Sequence, residues 1–144
     1  IAIVVMWLLH PARSRLFRPS GVDVPTLALS VLALVPVIAF LLTQSELQRT
    51  GAAADPHWEL HHYSGMAAAV LALPLCGFAA SFRESGRRFG AWLVGIAAVM
   101  IGIGSLLLAD YAGALDAIWA WLTLAWGIAV IAVVEFRQAA ARPR

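Results

Sequence analysis

Lysine is missing from this chain of 144 residues, and Cys76 is its one cysteine. A single cysteine excludes a disulfide framework and a cysteine-based metal site, both of which need several thiols. Charged residues make up only 12% of the chain, compared with roughly a quarter in soluble domains. This shortage excludes a nucleic-acid binder, a disordered chain and an ordinary cytosolic enzyme. Instead, 62% of the residues are hydrophobic and the mean hydropathy is +0.84, so the composition predicts an integral membrane protein.

Four apolar runs are long enough to cross a bilayer as helices. About 20 helical residues span the hydrocarbon core of roughly 30 Å, and no Asp, Glu, Lys, Arg or His lies inside these runs. Lipid offers no hydrogen-bond partners to the backbone, so each run must be helical. The sequence therefore predicts an all-α membrane protein, one domain over 1–144, with spans at 24–43, 63–81, 90–108 and 117–134.

The chain opens with a shorter apolar run, residues 1–9, followed by His10 and Pro11. Nine helical residues rise about 13.5 Å, less than half of the hydrocarbon core. We therefore expect a truncated fifth helix and a fragment that lacks its true N-terminus. The alternative, the apolar region of a signal peptide, is weaker because no basic region precedes the run.

The residues between the runs are typical of helix ends. Asp23 is a candidate N-cap with Pro25 in the following turn, and Gly51 is a candidate terminator for the same helix. Asp55 followed by Pro56 has the pattern of a cap and a first helical residue. Two further glycines, Gly86 and Gly113, are expected in the remaining turns.

The arginines alternate between the two faces of the predicted bundle. Nine of the ten fall on one face, and Arg49 falls on the other. The nine are Arg13, Arg15, Arg18, Arg83, Arg87, Arg88, Arg137, Arg142 and Arg144. Because basic residues accumulate on the cytoplasmic side of membrane proteins, we expect a cytoplasmic C-terminus in a bacterial inner membrane.

Two of the spans carry small residues at alternating spacings of four and three. The residues are Gly65, Ala69, Ala72, Cys76 and Ala79 in one span, and Ala91, Gly95, Ala98, Gly102 and Ser105 in the next. Small residues allow helix backbones to approach closely in lipid. We expect these consecutive helices to pack antiparallel through the two stripes, and the alternative is a dimerising face. The last span has a less distinct small face at Ala125, Ala129 and Ala132.

Three of the four histidines, His57, His61 and His62, lie together before the second span. If one helix continues from Asp55 into the membrane, His57 and His61 share a face at the i, i+4 spacing that suits one metal ion. Glu59 is adjacent in sequence, Asp110 or Asp116 would approach from the neighbouring loop, and the polar segment 43–48 would complete the rim. Imidazole with carboxylate favours a divalent metal such as zinc or copper.

The alternative for these histidines is a structural role, because amphipathic side chains are common where helices leave the membrane. Haem held between two histidines is disfavoured, because the three share one helix end and His10 lies at the opposite face. Transport chemistry usually needs an ionisable residue within a span, and the four runs contain no acidic or basic side chain.

The leading functional interpretation is a non-enzymatic structural or accessory subunit, whose partners would be the lipid bilayer and either another membrane protein or a second copy. The first alternative is a metal-binding or metal-dependent protein that uses His57, His61 and His62. The second is a fragment of a transporter, which would require polar side chains inside the helix bundle.

Overall fold

A computed structural model describes residues 21–51, 56–82 and 86–141. The predicted partial span at 1–9 and the predicted cap at Asp55 lie outside these residues. The described parts of the chain contain five helices and no strand. The helices are α1 Val24–Thr50, α2 Pro56–Glu59, α3 His62–Ser81, α4 Arg87–Leu107 and α5 Ala117–Ala141. Four of them, all except α2, are long and apolar enough to cross a membrane, which confirms the predicted all-α membrane fold.

The predicted helix ends at Asp23, Gly51 and Gly86 are confirmed. The Asp23 carboxylate accepts a hydrogen bond from the Thr26 backbone N–H at 3.1 Å and so caps the first turn of α1. Gly51 has a φ of 61°, a left-handed conformation that glycine adopts without steric cost, and it ends α1. Gly86, with a φ of 85°, precedes α4.

Two helices extend beyond their apolar runs, and for the first of them the predicted end at Gly51 implied this extension. The helix α1 continues through the polar segment after residue 43 as far as Thr50, and α5 continues beyond residue 134 as far as Ala141. Their last turns carry polar side chains, and Arg49 forms an ion pair with Glu46 at 2.7 Å. Hydrophobicity locates the part of a helix that lipid can surround, whereas the helix itself ends where its backbone is terminated.

The four long helices form two closely packed pairs, α1 with α3 and α4 with α5, while the contacts of α3 with α4 and of α1 with α5 are smaller. The helices α3 and α4 do contact each other, but the prediction that they pack through both stripes is wrong. The small stripe of α4 is buried, as predicted, at Ala91, Gly95, Ala98 and Gly102, but it packs against α5. A Cβ added at Gly102 would lie 2.7 Å from the carbonyl oxygen of Ala120.

The small stripe predicted for α3 lies on the outside of the bundle. Its five residues, Gly65, Ala69, Ala72, Cys76 and Ala79, are all exposed. The helix contacts α1 through its opposite face, where a Cβ added at Gly77 would lie 2.5 Å from the Ser30 hydroxyl oxygen. Because that face also carries small residues at Ala67 and Ala80, the spacing in the sequence did not distinguish the two faces.

The small face predicted for α5 is also wrong. Ala125 and Ala132 are exposed and Ala129 is half-buried, whereas Ala120, Gly127, Val130 and Val134 are buried. The buried face of α5 thus combines small residues with branched ones. The branched residues fill the space that the glycines of α4 leave open, as a Cβ added at Gly95 would lie 2.5 Å from Ile131 Cγ1.

An ionic cluster joins the helix ends at one end of the bundle. Asp23 is 1% exposed, its carboxylate accepts a hydrogen bond from Arg137 at 2.7 Å, and Arg87 lies 3.8 Å away. The Asp23 backbone N–H donates to the Ser81 carbonyl at 2.8 Å. The starts of α1 and α4 and the last turns of α3 and α5 therefore meet here, and we call this the basic end. Burial acts to raise the pKa of Asp23, but the Thr26 hydrogen bonds and both arginines outweigh it and lower the pKa below its ordinary value.

Candidate functional sites

The predicted histidine site lies at the end of the bundle opposite the basic end, which we call the histidine end. The structure does not form one continuous helix there. The helix α2 ends at Glu59, and His61 adopts a left-handed backbone with a φ of 58° before α3 begins at His62. The interpretation that His57 and His61 share one helix face is therefore wrong, because the break changes the direction of the chain between them.

The break brings His57 close to His62 instead. The ring centroids of His57 and His62 are 5.3 Å apart with an angle of 66° between the rings, and the Tyr63 ring lies 6.5 Å from that of His57. His57, His61 and His62 are all exposed. Among the described residues, no group of three or more His, Cys, Asp or Glu side chains is arranged to hold a metal ion. Glu59 and Asp110 therefore do not complete a three-ligand set with these histidines, and metal binding stays a prediction.

Two reciprocal hydrogen bonds hold the segment that carries His57 against the end of α1. The Gln48 side-chain N–H donates to the Trp58 carbonyl at 2.9 Å, and the Trp58 indole N–H donates to the Gln48 carbonyl at 2.7 Å. The indole also lies against Gly51, where an added Cβ would come within 2.9 Å of it. The sequence contains no pattern from which this pairing of Gln48 with Trp58 could be predicted.

A second candidate site, which the sequence did not predict, is a cavity of about 690 Å³ between α1, α3, α5 and the loop at 112–116. Its walls are mainly apolar and aromatic. They include Ala33, Phe40, Leu73, Leu115, Trp119 and Trp126. Cavities of this size and composition are typical of small-molecule sites, in which a few polar groups orient a mostly apolar ligand.

Gln44 is the most buried polar residue of the cavity wall. It is 1% exposed, and its side-chain oxygen Oε1 has no hydrogen-bond partner among the described residues. We expected Gln44 in a polar rim at the membrane surface, but it lies inside the bundle. A signal was present in the sequence, because Gln44 continues the face of α1 that buries Ser30, Ala33 and Val37 at helical spacing.

Two prolines free backbone hydrogen-bond acceptors in the helices around the same cavity. Pro36 and Pro74 lie inside α1 and α3 and line the cavity. Proline has no backbone N–H, so the carbonyl four residues earlier loses its helical hydrogen bond. Those carbonyls belong to Leu32 and Val70, which are also wall residues.

Two donors in the wall are already used within the protein. The Trp126 indole N–H donates to the Leu29 carbonyl at 2.9 Å, and the Thr43 hydroxyl donates to the Ala39 carbonyl at 3.1 Å. The described wall thus has an unpaired acceptor at Gln44 while these two donors are engaged.

The transporter interpretation required polar side chains inside the bundle, and Ser30 and Gln44 are buried there. The Ser30 hydroxyl donates to the Thr26 carbonyl at 2.8 Å, so its donor is used within α1. One unpaired amide oxygen does not form a path across a membrane, and transport stays a prediction.

Comparisons of the chain with protein-family models, with curated proteins and with solved structures found no match. The class of the protein therefore follows from its own fold. Four long apolar helices, packed as two pairs and joined by an ionic cluster at one end, fit a multi-pass helical membrane protein.

Proposed function

We propose that this chain is a non-enzymatic structural or accessory subunit of a membrane assembly, and that the outward stripe of α3 is its contact surface. The observation that carries this proposal is the exposure of all five small residues of the stripe, Gly65, Ala69, Ala72, Cys76 and Ala79. The occupant is a transmembrane helix of a second chain, which can belong to another copy or to a different protein.

The buried stripe of α4 supports this proposal by analogy. The stripe of α4 has the same alternating spacing of four and three, and it is buried against α5. A Cβ added at Gly95 would lie 2.7 Å from the Gly127 carbonyl oxygen, so these helix backbones are very close. The stripe of α3 faces away from the bundle, and a Cβ added at Gly65 would meet nothing within 4 Å.

In a bilayer, the exposed stripe of α3 has a physical reason to bind another helix. Apolar side chains gain no hydrophobic free energy by leaving lipid for another helix, so association depends on close van der Waals packing. A stripe of small residues permits that packing, whereas a bulky side chain prevents it. Self-association would place the same stripe on both sides of a two-fold contact.

The test compares the assembly mass of three forms of the chain, purified in a mild detergent. Ala72→Phe adds bulk in the stripe, and Ala125→Phe adds the same bulk on an exposed position of α5. We expect wild type and Ala125→Phe to run as an assembly, and Ala72→Phe to run as a single chain. A wild-type chain that is monomeric both in detergent and after cross-linking in its own membrane would overturn the proposal.

Oxidation of the native thiol distinguishes the two sources of the partner helix. Cys76 lies in the stripe and is exposed. If a second copy covers the stripe, mild oxidation in the membrane gives a dimer linked through Cys76, and Cys76→Ala abolishes it. An assembly that Ala72→Phe disperses and that separates into a second kind of polypeptide on a denaturing gel contains a different protein.

Divalent metal binding at the histidine end is a second candidate function. The observation that favours it is the approach of the His57 and His62 rings to 5.3 Å, because neutral imidazole is the commonest ligand for zinc and copper. Two exposed imidazoles would bind a metal weakly unless a partner chain adds further ligands.

We also infer that the protein resides in a bacterial inner membrane with its basic end and C-terminus in the cytoplasm. The concentration of arginine at this end supports the inference, because positively charged loops remain on the cytoplasmic side. Arg87, Arg88 and Arg137 are all at this end, and Arg49 is at the other.

A further inference from the structure

The cavity between α1, α3 and α5 is mainly apolar, but its wall includes Gln44, whose side-chain oxygen has no hydrogen-bond partner among the described residues. We propose that the cavity binds a hydrophobic molecule with a hydroxyl head group, of the alkylphenol or long-chain alcohol type, and that the buried Gln44 amide turns towards the hydroxyl and accepts its hydrogen bond at Oε1. The volume of about 690 Å³ lies within the range of roughly 300–1,000 Å³ typical of small-molecule sites. This inference is independent of the proposed contact on the outside of α3.

The unpaired oxygen of Gln44 distinguishes a specific ligand from a lipid chain. A buried acceptor without a donor costs free energy, because it has lost water and gained no partner. An alkyl chain that fills the cavity leaves Gln44 Oε1 unpaired, whereas a hydroxyl satisfies it once the amide turns towards the cavity. A molecule that provides this donor is therefore bound in preference to an equally large hydrocarbon.

The other polar groups of the wall favour the same kind of ligand. The backbone carbonyls of Leu32 and Val70 lost their helical donors to Pro36 and Pro74, so they increase the number of acceptors near the cavity. The Trp126 indole N–H is already bonded to the Leu29 carbonyl. The unpaired group at Gln44 is thus an acceptor, and a ligand matches it by donating.

The apolar part of the ligand is defined by the rest of the wall. Phe40, Trp119 and Trp126 provide aromatic surface, and Leu73 and Leu115 provide aliphatic surface. A ring near the aromatic residues with an alkyl chain attached satisfies both kinds of surface. The same indoles provide a fluorescence signal for binding.

The experiment compares two brominated probes of nearly equal size, an octylphenol and its methyl ether. Only the phenol has an O–H donor, and bromine quenches tryptophan fluorescence on contact. The purified full chain is titrated in nanodiscs with each probe. We expect the phenol to bind about 5- to 10-fold more tightly than the ether, which is the usual effect of one neutral hydrogen bond. The variant Gln44→Met should bind both probes equally.

Two variants of α1 locate the binding site. Ala39→Phe adds bulk at a wall residue and should abolish saturable quenching by both probes, whereas Ala28→Phe adds it at an exposed residue that is not in the wall and should change neither. Equal affinity of wild type for phenol and ether would overturn the proposal, even if Gln44→Met fails to fold. Unchanged quenching of Ala39→Phe would also overturn it, because the probes would then be dissolved in the lipid.

Discussion

Gly95 and Gly127 face each other where α4 crosses α5, and neither position has space for a side chain. A Cβ added at Gly127 would lie 2.6 Å from the Gly95 carbonyl oxygen, and one added at Gly95 would lie 2.7 Å from the Gly127 carbonyl oxygen. Both of these atoms are backbone, so the clash could be relieved only by separating the helices. The α4–α5 pair therefore depends on the absence of two side chains.

We expect Gly95→Ala and Gly127→Ala each to destabilise the bundle by about 1–3 kcal/mol, the usual cost of adding volume to a tightly packed contact. Gly104→Ala is the matched control, because it lies in the same helix as Gly95 and its added Cβ would meet nothing within 4 Å. That control should be neutral or slightly stabilising, since alanine favours a helix more than glycine does. Unfolding in mixed detergent micelles measures all three, and equal stability of Gly95→Ala and Gly104→Ala would contradict the close approach.

The ionic cluster at the basic end should contribute to stability through the charge of Asp23. Asparagine caps a helix about as well as aspartate, so Asp23→Asn retains the cap of α1 and removes the interaction with Arg137 and Arg87. We expect a loss of about 1 kcal/mol, because the arginines are partly exposed and solvent screens them. Asp23→Ala should lose more, because the cap is then removed as well. Equal unfolding midpoints for the three proteins would show that the cluster is not stabilising.

The same carboxylate predicts a dependence of stability on pH. The pKa of Asp23 in the folded protein lies below its ordinary value of 3.8, so the contribution of this group is present above that pH. It is lost as the pH falls through the lower pKa of the folded state. The stability difference between wild type and Asp23→Asn should therefore be constant near neutral pH and shrink below pH 3.8. A difference that stays the same at low pH would show that the carboxylate charge does not cause it.

If the histidine end binds a metal ion, the structure predicts which ligands matter. His57→Ala and His62→Ala should each weaken zinc or copper binding, because these two rings approach each other, and His61→Ala should weaken it less. Titration calorimetry of the purified chain with each metal measures this order. No binding by wild type above the level of the His57→Ala, His62→Ala double variant would remove the metal interpretation.

The orientation in the membrane is tested with cysteines at the two ends of the bundle. In a Cys76→Ala background, Gln138→Cys lies in the last turns of α5 at the basic end, and Glu59→Cys lies at the histidine end. A maleimide that cannot cross membranes should label Glu59→Cys on intact cells, and it should label Gln138→Cys after the cells are opened. The opposite pattern would reverse the inferred topology.

The sequence predicted the features that depend on local chemistry. The lengths of the apolar runs predicted the four long helices. The caps at Asp23 and Gly51 were recognisable because a side-chain acceptor and a left-handed glycine each act on their own helix. The pairing of the helices was predicted less well, because α3 has small residues on two faces. The face that contacts α1 includes Gly77, which lies close to Ser30. Ser30 is distant from Gly77 in sequence, so the sequence gives no local signal for this contact.

The candidate sites were harder to predict for similar reasons. The left-handed backbone of His61 separates α2 from α3 and brings His57 to His62, but histidine alone does not signal such a break. Gln44 lies only one residue beyond the predicted end of its apolar run. Its burial depends on α1 continuing as a helix to Thr50 and on the loop and helices that surround the cavity.

The bonds between α1 and α5 also bear on how a molecule could enter the cavity between these two helices. Asp23 with Arg137 and the Leu29 carbonyl with Trp126 join these helices in the half nearest the basic end. Beyond those bonds the cavity extends along α1 as far as Gln44. A lipophilic molecule that enters from the leaflet at the histidine end and separates the two helices there therefore breaks neither bond.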